Sequence, residues 1–324
     1  MSKPITTAEA AAWLAGRDNF LILTHRRPDG DTVGCAGALA QGLRELGKTA
    51  YVLRNPEITP RYAPFAEECW APDGYAPEHV ITVDTASTSL FPKNGKEYEG
   101  AVSLCIDHHP SNTSYAENTC LNDAAASCGE VIYEILMAMS GCISDKTAER
   151  LYVAVTTDTG CFLFGNTTAD TLRVASLLVE AGAPHRRLNK LLFRTKTRSR
   201  TMIESMIFSG LGFHFGGAVA ISTITLEMME TAGADEDDLD DIASLPGSVE
   251  GVLAGITLRE MATTGVCKVS VRTSQNVDAH AISSRFGGGG HKFASGFALE
   301  KPLEEVREAL LETLKEFFPQ TERP

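Results

Sequence analysis

The chain has 324 residues, of which 43% are hydrophobic and 22% charged, and these values predict a globular protein with two domains. Its formal net charge of −13 argues against binding of long duplex nucleic acid, because proteins with that task neutralise many phosphates with a basic surface. The sequence shows no apolar run of membrane-spanning length and no signal peptide, so we expect a cytoplasmic protein without membrane association. Its eight cysteines include no C-x-x-C pair, and we expect them to be reduced thiols.

Short apolar runs alternate with helical patterns through the first half of the chain. Buried strands are predicted at residues 20–24, 49–53, 79–83 and 102–106. Helices are predicted at residues 32–46, 127–139, 146–157 and 169–180, the first with Asp31 or Thr32 as its N-cap. This alternation is typical of α/β proteins, so we expect a doubly wound, mainly parallel sheet in an N-terminal domain.

The second half of the chain has a different pattern. A basic segment, 185–200, predicts a helix connecting two domains, and its cations are best interpreted as a solvated helix face, although Arg194 and Lys196 are candidates for a functional role. Segments 212–225, 252–259 and 267–273 have strand character and 303–317 is an amphipathic helix, which together predict a smaller α/β domain. The predicted limits are 1–184 for a catalytic metal-binding domain, 185–206 for the linker and 207–324 for a substrate-binding domain.

Four clusters of acidic and histidine residues follow or adjoin the apolar runs of the first half. In a parallel sheet, ligands bind beyond the carboxyl ends of the strands, where three of these clusters are expected. Oxygen and imidazole donors gathered there are what a site for two divalent cations needs. The clusters are the segment from His25 to Asp31, then Asp84, then Asp107, His108 and His109, and finally Asp158.

The spacing of these residues suggests how two cations would be shared. His25 and Asp29 flank a turn set by Pro28 and Gly30, so both can reach one cation. A second cation would be held by Asp31, His108 and Asp158, and Asp84 would bridge the two cations. Carboxylate-rich ligation suits manganese or magnesium, and the histidines favour manganese. Any one aspartate alone is more often a helix cap, but the joint pattern predicts a metal-dependent phosphoesterase.

A glycine-rich segment in the second half is the other candidate site. Four consecutive glycines allow backbone N–H groups to approach an anion closely, although such runs are also used as hinges. Nearby cationic side chains favour a substrate phosphate as the anion. The predicted substrate-binding residues here are Arg272, Arg285, Gly288, Gly289, Gly290, His291 and Ser295.

These motifs together resemble a known family. HRRPDGD, VDTAS, IDHHPSN and TTDTG stand in the order of the four motifs of the DHH phosphoesterase superfamily, and RFGGGGHKFASGF is similar to the signature of its first type of associated C-terminal domain. The two-domain length is similar to the nanoRNase and pAp-phosphatase branch. Arg26 and Arg27 stand where the family usually has other residues, without disturbing the ligand positions.

The resemblance implies roles for particular residues. It implies the same two sets of manganese ligands, with Asp84 shared. His109 would face the scissile phosphate, and Asp107 would orient the neighbouring histidines, so that Asp84, Asp107 and His109 form the catalytic group. Arg272, the glycines and His291 would bind the far end of the substrate, in a cleft between the domains that measures its length.

The implied activity is hydrolysis of very short RNA to mononucleotides by attack of a water molecule, with removal of the 3′-phosphate of pAp as a related reaction. A soluble phosphodiesterase acting on cyclic di-AMP or pApA is the main alternative, since it would bind a dinucleotide in the same way. A non-catalytic nucleotide-binding protein would be expected to lack metal ligands, and no expected ligand is missing. The sequence leaves a homodimer open.

Overall fold

The computed structural model describes residues 2–239, 241–263, 265–274 and 276–319. The chain divides into two compact units, and the division falls between Thr195 and Lys196. None of the described helices combines the length and the apolar character that crossing a membrane would require. All eight cysteines are free thiols.

Strands and helices alternate along the described part of the first unit. The strands are β1 (Lys3–Pro4), β2 (Phe20–Leu23), β3 (Ala50–Val52), β4 (His79–Val83), β5 (Val102–Asp107) and β6 (Asn118–Leu121). The helices are α1 (Thr7–Ala15), α2 (Gly30–Glu45), α3 (Cys128–Ser140), α4 (Asp145–Asp158), α5 (Ala169–Glu180) and α6 (His185–Asn189).

These strands form one parallel sheet in the order β1-β6-β5-β4-β2-β3. All four residues of β2 are buried, as expected of a strand covered on both faces. The chain leaves β2 towards β3 on one side, whereas β4 leads to β5 and β6 on the other. The strand order therefore reverses between β2 and β4, and the carboxyl ends of strands at such a point form a crevice for ligands. The predicted α/β class with a parallel sheet is confirmed.

The two faces of this sheet are covered differently. Helices α1 to α5 share one large apolar core with one face of the strands. The other face, which includes Leu21 and Leu23, packs against Phe91, Ala116 and partly buried tyrosines from loops and short 3₁₀ turns. Loops and short 3₁₀ turns therefore cover this second face in place of long helices.

Two glycines of α2 allow a close approach to α4. A Cβ atom at Gly34 would lie 2.5 Å from the carbonyl oxygen of Arg150, and one at Gly30 would lie 2.4 Å from the Thr157 side chain. Any larger residue would force the helices apart. The tight packing brings the first turn of α2, with Asp31, close to the last turn of α4, with Asp158.

The second unit contains a separate sheet and its own core. Its described helices are α7 (Arg198–Ser209), α8 (Leu226–Ala232), α9 (Ala279–Ser284) and α10 (Leu303–Leu314). Its strands are β7 (Gly212–His214), β8 (Val219–Ile224), β9 (Ala254–Glu260), β10 (Cys267–Thr273), β11 (Gly289–Gly290) and β12 (Ala294–Leu299). They form a mixed sheet in the order β11-β12-β10-β9-β8-β7, in which only β8 and β9 pair in parallel among the described strands.

The structure differs from the sequence predictions at several elements. The predicted connecting helix is interrupted, because α6 continues into a π-helical turn, Lys190–Arg194, and the chain is extended at Thr195 before α7. The predicted strand 212–225 is two strands separated by a turn, where Gly216 and Gly217 have positive φ. Residue 29, not 31 or 32, caps α2. The elements that were not predicted are strands β1, β6, β11 and β12 and helices α1, α8 and α9.

The acidic run at 235–241 forms a 3₁₀ turn, Asp237–Leu239, in its described part, and residue 240 lies outside the described residues. The cations of the predicted linker are partly paired. Arg187 forms an ion pair with Glu149, and Lys196 with Glu204.

Candidate metal centre

The acidic and histidine clusters of the first unit come together at the carboxyl edge of its sheet. His25 lies in the loop after β2, Asp84 directly follows β4, and His108 follows β5. Asp31 is in the first turn of α2 and Asp158 ends α4. The ends of three neighbouring strands and the ends of two closely packed helices therefore supply donors to one place.

The first group of donors surrounds the imidazole of His25. Its Nε2 lies 3.6 Å from Asp29 Oδ1 and 3.6 Å from Asp84 Oδ2. The donor atoms of these three residues all lie within 4.8 Å of one another, which is close enough to hold one ion. These three residues are the ones that the sequence predicts as ligands of the first cation.

The second group surrounds His108. Its Nε2 lies 3.5 Å from Asp84 Oδ1, 3.6 Å from Asp158 Oδ2 and 3.9 Å from Asp31 Oδ2. Asp84 thus directs one carboxylate oxygen to His25 and the other to His108. A carboxylate with its oxygens divided in this way can bridge two cations.

The backbone conformation of Asp84 determines this orientation. Its φ is 52°, in the left-handed region that aspartate and asparagine enter more readily than most residues. Its N–H donates to the carbonyl oxygen of Ile106 at 2.9 Å, so the residue stays tied to the neighbouring strand although β4 has ended. The side chain is 3% exposed.

Hydrogen bonds to the protein determine which nitrogen of each histidine faces the centre. His25 Nδ1 lies 2.8 Å from the carbonyl oxygen of Arg26, and His108 Nδ1 lies 3.2 Å from that of Ala125. A carbonyl accepts only, so each Nδ1 carries the proton and each Nε2 has its lone pair available to a cation.

The carboxylate of Asp31 is fixed by backbone groups from far along the chain. Its two oxygens accept the N–H groups of Cys128 at 2.8 Å and Gly129 at 3.0 Å, at the N-terminus of α3. The thiol of Cys35 donates to Oδ1 at 3.2 Å. The partial positive charge of the helix N-terminus favours the ionised carboxylate at this position.

Asp107 is fully buried and holds the pair of histidines that follows it. Its Oδ1 accepts from the backbone N–H groups of His108 and His109 and from His109 Nδ1, the last at 2.8 Å. Its Oδ2 accepts from Asn112 at 2.6 Å. Since His109 Nδ1 is engaged with Asp107, the free Nε2 of this half-exposed side chain is the atom left to meet a substrate.

Without a cation, the histidines would bind protons strongly. Burial lowers the pKa of His25, but hydrogen bonds and charge attraction from Asp29 and Asp84 outweigh it and raise the pKa to about 11. Burial likewise opposes protonation of His108, and its acidic neighbours raise the pKa to about 10. The protons would compensate negative charge that the site otherwise leaves unbalanced.

The carboxylates show the same imbalance. Burial, followed by repulsion from Asp84 and Asp158, raises the pKa of Asp31 well above its ordinary value. Burial also raises the pKa of Asp158 to about 6, although His108 lowers it. A site whose acids repel one another and whose histidines attract protons is a site that lacks positive charge, which divalent cations supply.

Two buried polar atoms test whether the residues fit a metal. Asp84 Oδ1 and His108 Nε2 have no hydrogen-bond partner among the described residues. Buried polar atoms are almost always paired, and these two lie 3.5 Å apart, so either a proton on His108 or a cation bound by both atoms would satisfy them. Carboxylate and imidazole donors at this spacing fit divalent cations such as manganese or magnesium.

An open cavity of about 810 Å³ adjoins the centre. Its lining includes His25, Asp84, Asp158 and His109, and also residues that sequence reasoning missed. Those residues are Glu57, Ser89, Lys93 and Lys96. The two lysines could have been noticed as cations three residues apart after a proline, but their nearness to the metal ligands required the fold.

The glycine-rich segment of the second unit forms a hairpin, and not all its glycines are free to meet a ligand. A Cβ at Gly288 would lie 2.4 Å from the carbonyl oxygen of Gly296, and one at Gly290 2.6 Å from that of Ala294, so both are needed for close strand pairing. Gly289 faces open space. His291 is exposed beside a tight turn, in which its N–H donates to the carbonyl oxygen of Ala294.

The other predicted residues of this segment have internal partners. Arg285 forms an ion pair with Glu316 at 2.8 Å. The buried hydroxyl of Ser295 donates to the carbonyl oxygen of Ala279 at 2.5 Å and lies 2.6 Å from Ser283 Oγ. Arg272 is half-buried at the end of β10, and its Nη1 contacts the carbonyl oxygen of Val271.

Comparison with known proteins identifies the class of this chain. Residues 19–155 match the family model for the DHH family, N-terminal domain, and residues 216–320 match the DHHA1 domain. The bifunctional oligoribonuclease and PAP phosphatase NrnA of Thermus thermophilus is 33% identical over 91% of this chain and 89% of its own length. NrnA of Bacillus subtilis is 27% identical over 87% of this chain and 90% of its own length.

A solved structure supports the fold over both units. An exopolyphosphatase-related protein from Bacteroides fragilis has a TM-score of 0.85 and 21% sequence identity, and the alignment covers 98% of this chain and 97% of that one. The family match and the curated relatives define a phosphoesterase, which is a hydrolase. The chain belongs to the DHH family, with a DHHA1 domain as its second unit.

Proposed function

We propose that this protein hydrolyses very short oligoribonucleotides to mononucleotides and removes the 3′-phosphate of pAp, with two divalent cations, preferably manganese. The observation that carries the proposal is the divided carboxylate of Asp84, with one oxygen towards each histidine and a buried Oδ1 that has no hydrogen-bond partner among the described residues. The substrate class is supported by two relatives named as oligoribonuclease and PAP phosphatase, each aligned over about nine-tenths of its length.

Each cation has its own set of donors in this proposal. His25, Asp29 and Asp84 hold one, and the other is held by Asp31, Asp84, His108 and Asp158. Bound cations would lower the pKa of a water molecule and stabilise the oxygen that leaves phosphorus. The chain's own contribution is to fix these donors before substrate arrives, through the hydrogen bonds to Arg26, Ala125 and the N-terminus of α3.

His109 is proposed to bind the scissile phosphate. Its Nδ1–H donates to Asp107, and this hydrogen bond is the main reason that the pKa of His109 is raised. The raised pKa favours a protonated ring, which can donate from Nε2 to a phosphate oxygen in a charge-assisted hydrogen bond. Asp107 would act on the substrate only through His109.

In the second unit we propose His291, Gly289 and Arg272 as the residues that meet the rest of the substrate. His291 and Gly289 are exposed, and Arg272 pairs with Ala294 across the sheet, beside the turn that carries His291. An exposed glycine N–H, an imidazole and a guanidinium are suited to a phosphate or a ribose hydroxyl.

The test measures initial rates on a panel of substrates. Purified protein with Mn²⁺ is incubated with pApA, pAp, cyclic di-AMP, pyrophosphate and labelled RNA from dimers to long oligomers. We expect the highest kcat/KM on RNA dimers and other very short RNA, measurable hydrolysis of pAp, and a steep decline with length. Highest activity on cyclic di-AMP, or on long RNA, would contradict the proposed substrate class.

The variant Asp84→Asn tests the centre within the same assay. Asparagine keeps the shape and tolerates the left-handed backbone, so the change isolates the loss of charge. We expect kcat/KM to fall by at least about 10³-fold, since one bridging ligand serves both cations. The control is Asp73→Asn, the same change at an exposed residue outside the cavity. Near wild-type turnover by Asp84→Asn would contradict the two-cation centre.

A further inference from the structure

The cavity beside the metal donors has a basic wall, which we define as Arg26, Arg27, Lys93 and Lys96. We propose that this wall binds a second phosphate of the substrate, one nucleoside away from the phosphate that is hydrolysed. The inference rests on the proposed function and names a recognition element that the metal donors do not provide.

In the part of the chain that the structure describes, all four cations of the basic wall lack an acidic partner. No ion pair joins their side chains to a carboxylate within 4.0 Å among the described residues. Elsewhere in the described chain, many exposed cations are paired, including Lys146 with Glu68 and Arg285 with Glu316. The cavity is also lined by four carboxylates, but three of them, Asp29, Asp84 and Asp158, are proposed metal ligands, so the cations of the basic wall remain available to an anionic ligand.

The two lysines share a face because of the local backbone. Residues Lys93–Tyr98 form a 3₁₀ helix after Pro92, and side chains three residues apart are eclipsed in a 3₁₀ helix. Lys93 and Lys96 therefore project in the same direction, and both line the cavity. Gly95, between them, is buried, and a Cβ at this position would lie 3.0 Å from Pro92 and 3.4 Å from Leu23, so the turn packs closely against its surroundings.

The arginines are fixed beside the lysines through their backbone. Arg26 N–H donates to the carbonyl oxygen of Leu90 at 2.6 Å, which joins the loop after β2 to the segment that leads to the lysines. Arg27 has a φ of 50°, and its N–H donates to Glu57 Oε2 at 2.9 Å. The backbone is thus held while both guanidinium groups remain exposed and without hydrogen-bond partners among the described residues.

A second phosphate is the ligand that this arrangement suits. Divalent cations held by the donors of the centre would engage the scissile phosphate, whereas the basic wall lines the same cavity with groups that bind anions and no metal. Guanidinium and ammonium groups are the usual protein partners of phosphate oxygens. The second phosphate can lie on the 5′ side, as in pApA and pAp, or on the 3′ side, as in ApAp.

A double variant tests the basic wall. Lys93→Gln with Lys96→Gln removes two charges from exposed positions that hold no metal. The control is Lys301→Gln with Lys315→Gln, which removes the same charge from exposed positions outside the cavity. For each protein, kcat and KM are measured with Mn²⁺ on ApA, which has one phosphate, and on pApA and ApAp, which have two.

We expect the Lys93/Lys96 variant to raise KM about tenfold for pApA, for ApAp or for both, with kcat changed less than about threefold and KM for ApA unchanged. The substrate that loses affinity then identifies the side on which the second phosphate binds. Added salt should raise the wild-type KM for that substrate more than the variant's, because the contact is electrostatic. The control variant should match wild type.

An equal change of KM for all three substrates, or no change for any, would overturn the inference. Such a result leaves the proposed function standing if wild type still hydrolyses these dinucleotides. If wild type with Mn²⁺ hydrolyses none of them, the proposed function itself fails, so the two failures are distinguishable.

Discussion

The candidate metal centre of the first unit and the glycine-rich hairpin of the second unit differ in whether their polar groups have partners within the protein. In the centre, buried atoms such as Asp84 Oδ1 and His108 Nε2 have no partner among the described residues. In the hairpin, the hydroxyl of Ser295 and the guanidinium of Arg285 already have protein partners.

This difference indicates when a sequence motif of polar residues marks a functional site. A conspicuous pattern of polar residues indicates function when the fold leaves those groups unsatisfied, because an unsatisfied buried group costs stability unless a ligand completes it. Where the fold satisfies the groups, the same kind of pattern also serves the structure. The hairpin contains both kinds, since His291 is exposed and Ser295 is not.

The largest expected difference between the two regions is their response to metal. Mn²⁺ should slow amide hydrogen exchange in α2, α3 and α4 by about 100-fold at a concentration of 100 times Kd, which corresponds to ~2.7 kcal/mol. Strand β9 of the second unit should show no such protection. Exchange followed by mass spectrometry with and without EDTA measures both. Equal protection of the two units by Mn²⁺ would contradict the expectation that only the first unit binds metal.

A smaller effect is expected from the residue that positions His109. Asp107→Asn removes the charge that accepts the His109 Nδ1 proton, so kcat should fall by about 10- to 100-fold while bound manganese, measured by elemental analysis, stays near the wild-type amount. Asn112→Ala, which removes one hydrogen bond to Asp107, should have a weaker effect in the same direction. Loss of both metals from Asp107→Asn would show a role in the ligand set instead.

The smallest expected effect distinguishes residues of the hairpin that stabilise the fold from residues that bind substrate. Ser295→Ala should lower the free energy of unfolding by about 1 kcal/mol, because it removes a buried hydroxyl with two partners, and should leave KM unchanged. Urea denaturation and steady-state kinetics on pApA provide the two measurements. His291→Ala is the matched variant and should raise KM without loss of stability. A Ser295→Ala protein with raised KM and unchanged stability would reverse this assignment.

The donors of the metal centre could be predicted because their positions follow from strand ends. Strand β4 was predicted with its observed bounds, so Asp84 had to lie at the edge of a parallel sheet. Its position between the two sets of donors was predicted, but the left-handed φ and the hydrogen bond to Ile106 that hold it there were not.

Other features depend on contacts that periodicity does not encode. Strand β1 has only two residues, and its pairing with β6 cannot be read from so short a segment. The basic wall combines residues from two loops that meet where Arg26 bonds Leu90. The cap of α2 was placed two or three residues late, because Pro28 and Gly30 concealed the start of the helix.

The hydrogen bond between Asp31 and the N–H of Cys128 joins residues 97 positions apart in the chain. Such a contact closes a long loop, and long loops close late in folding because their entropic cost is high. The donors themselves extend from His25 to Asp158, so a nascent chain emerging from the ribosome lacks the complete set until α4 has been synthesised. Metal binding is therefore expected to follow the folding of nearly the whole first unit. It would stabilise a tertiary structure that has already formed and would not nucleate its folding.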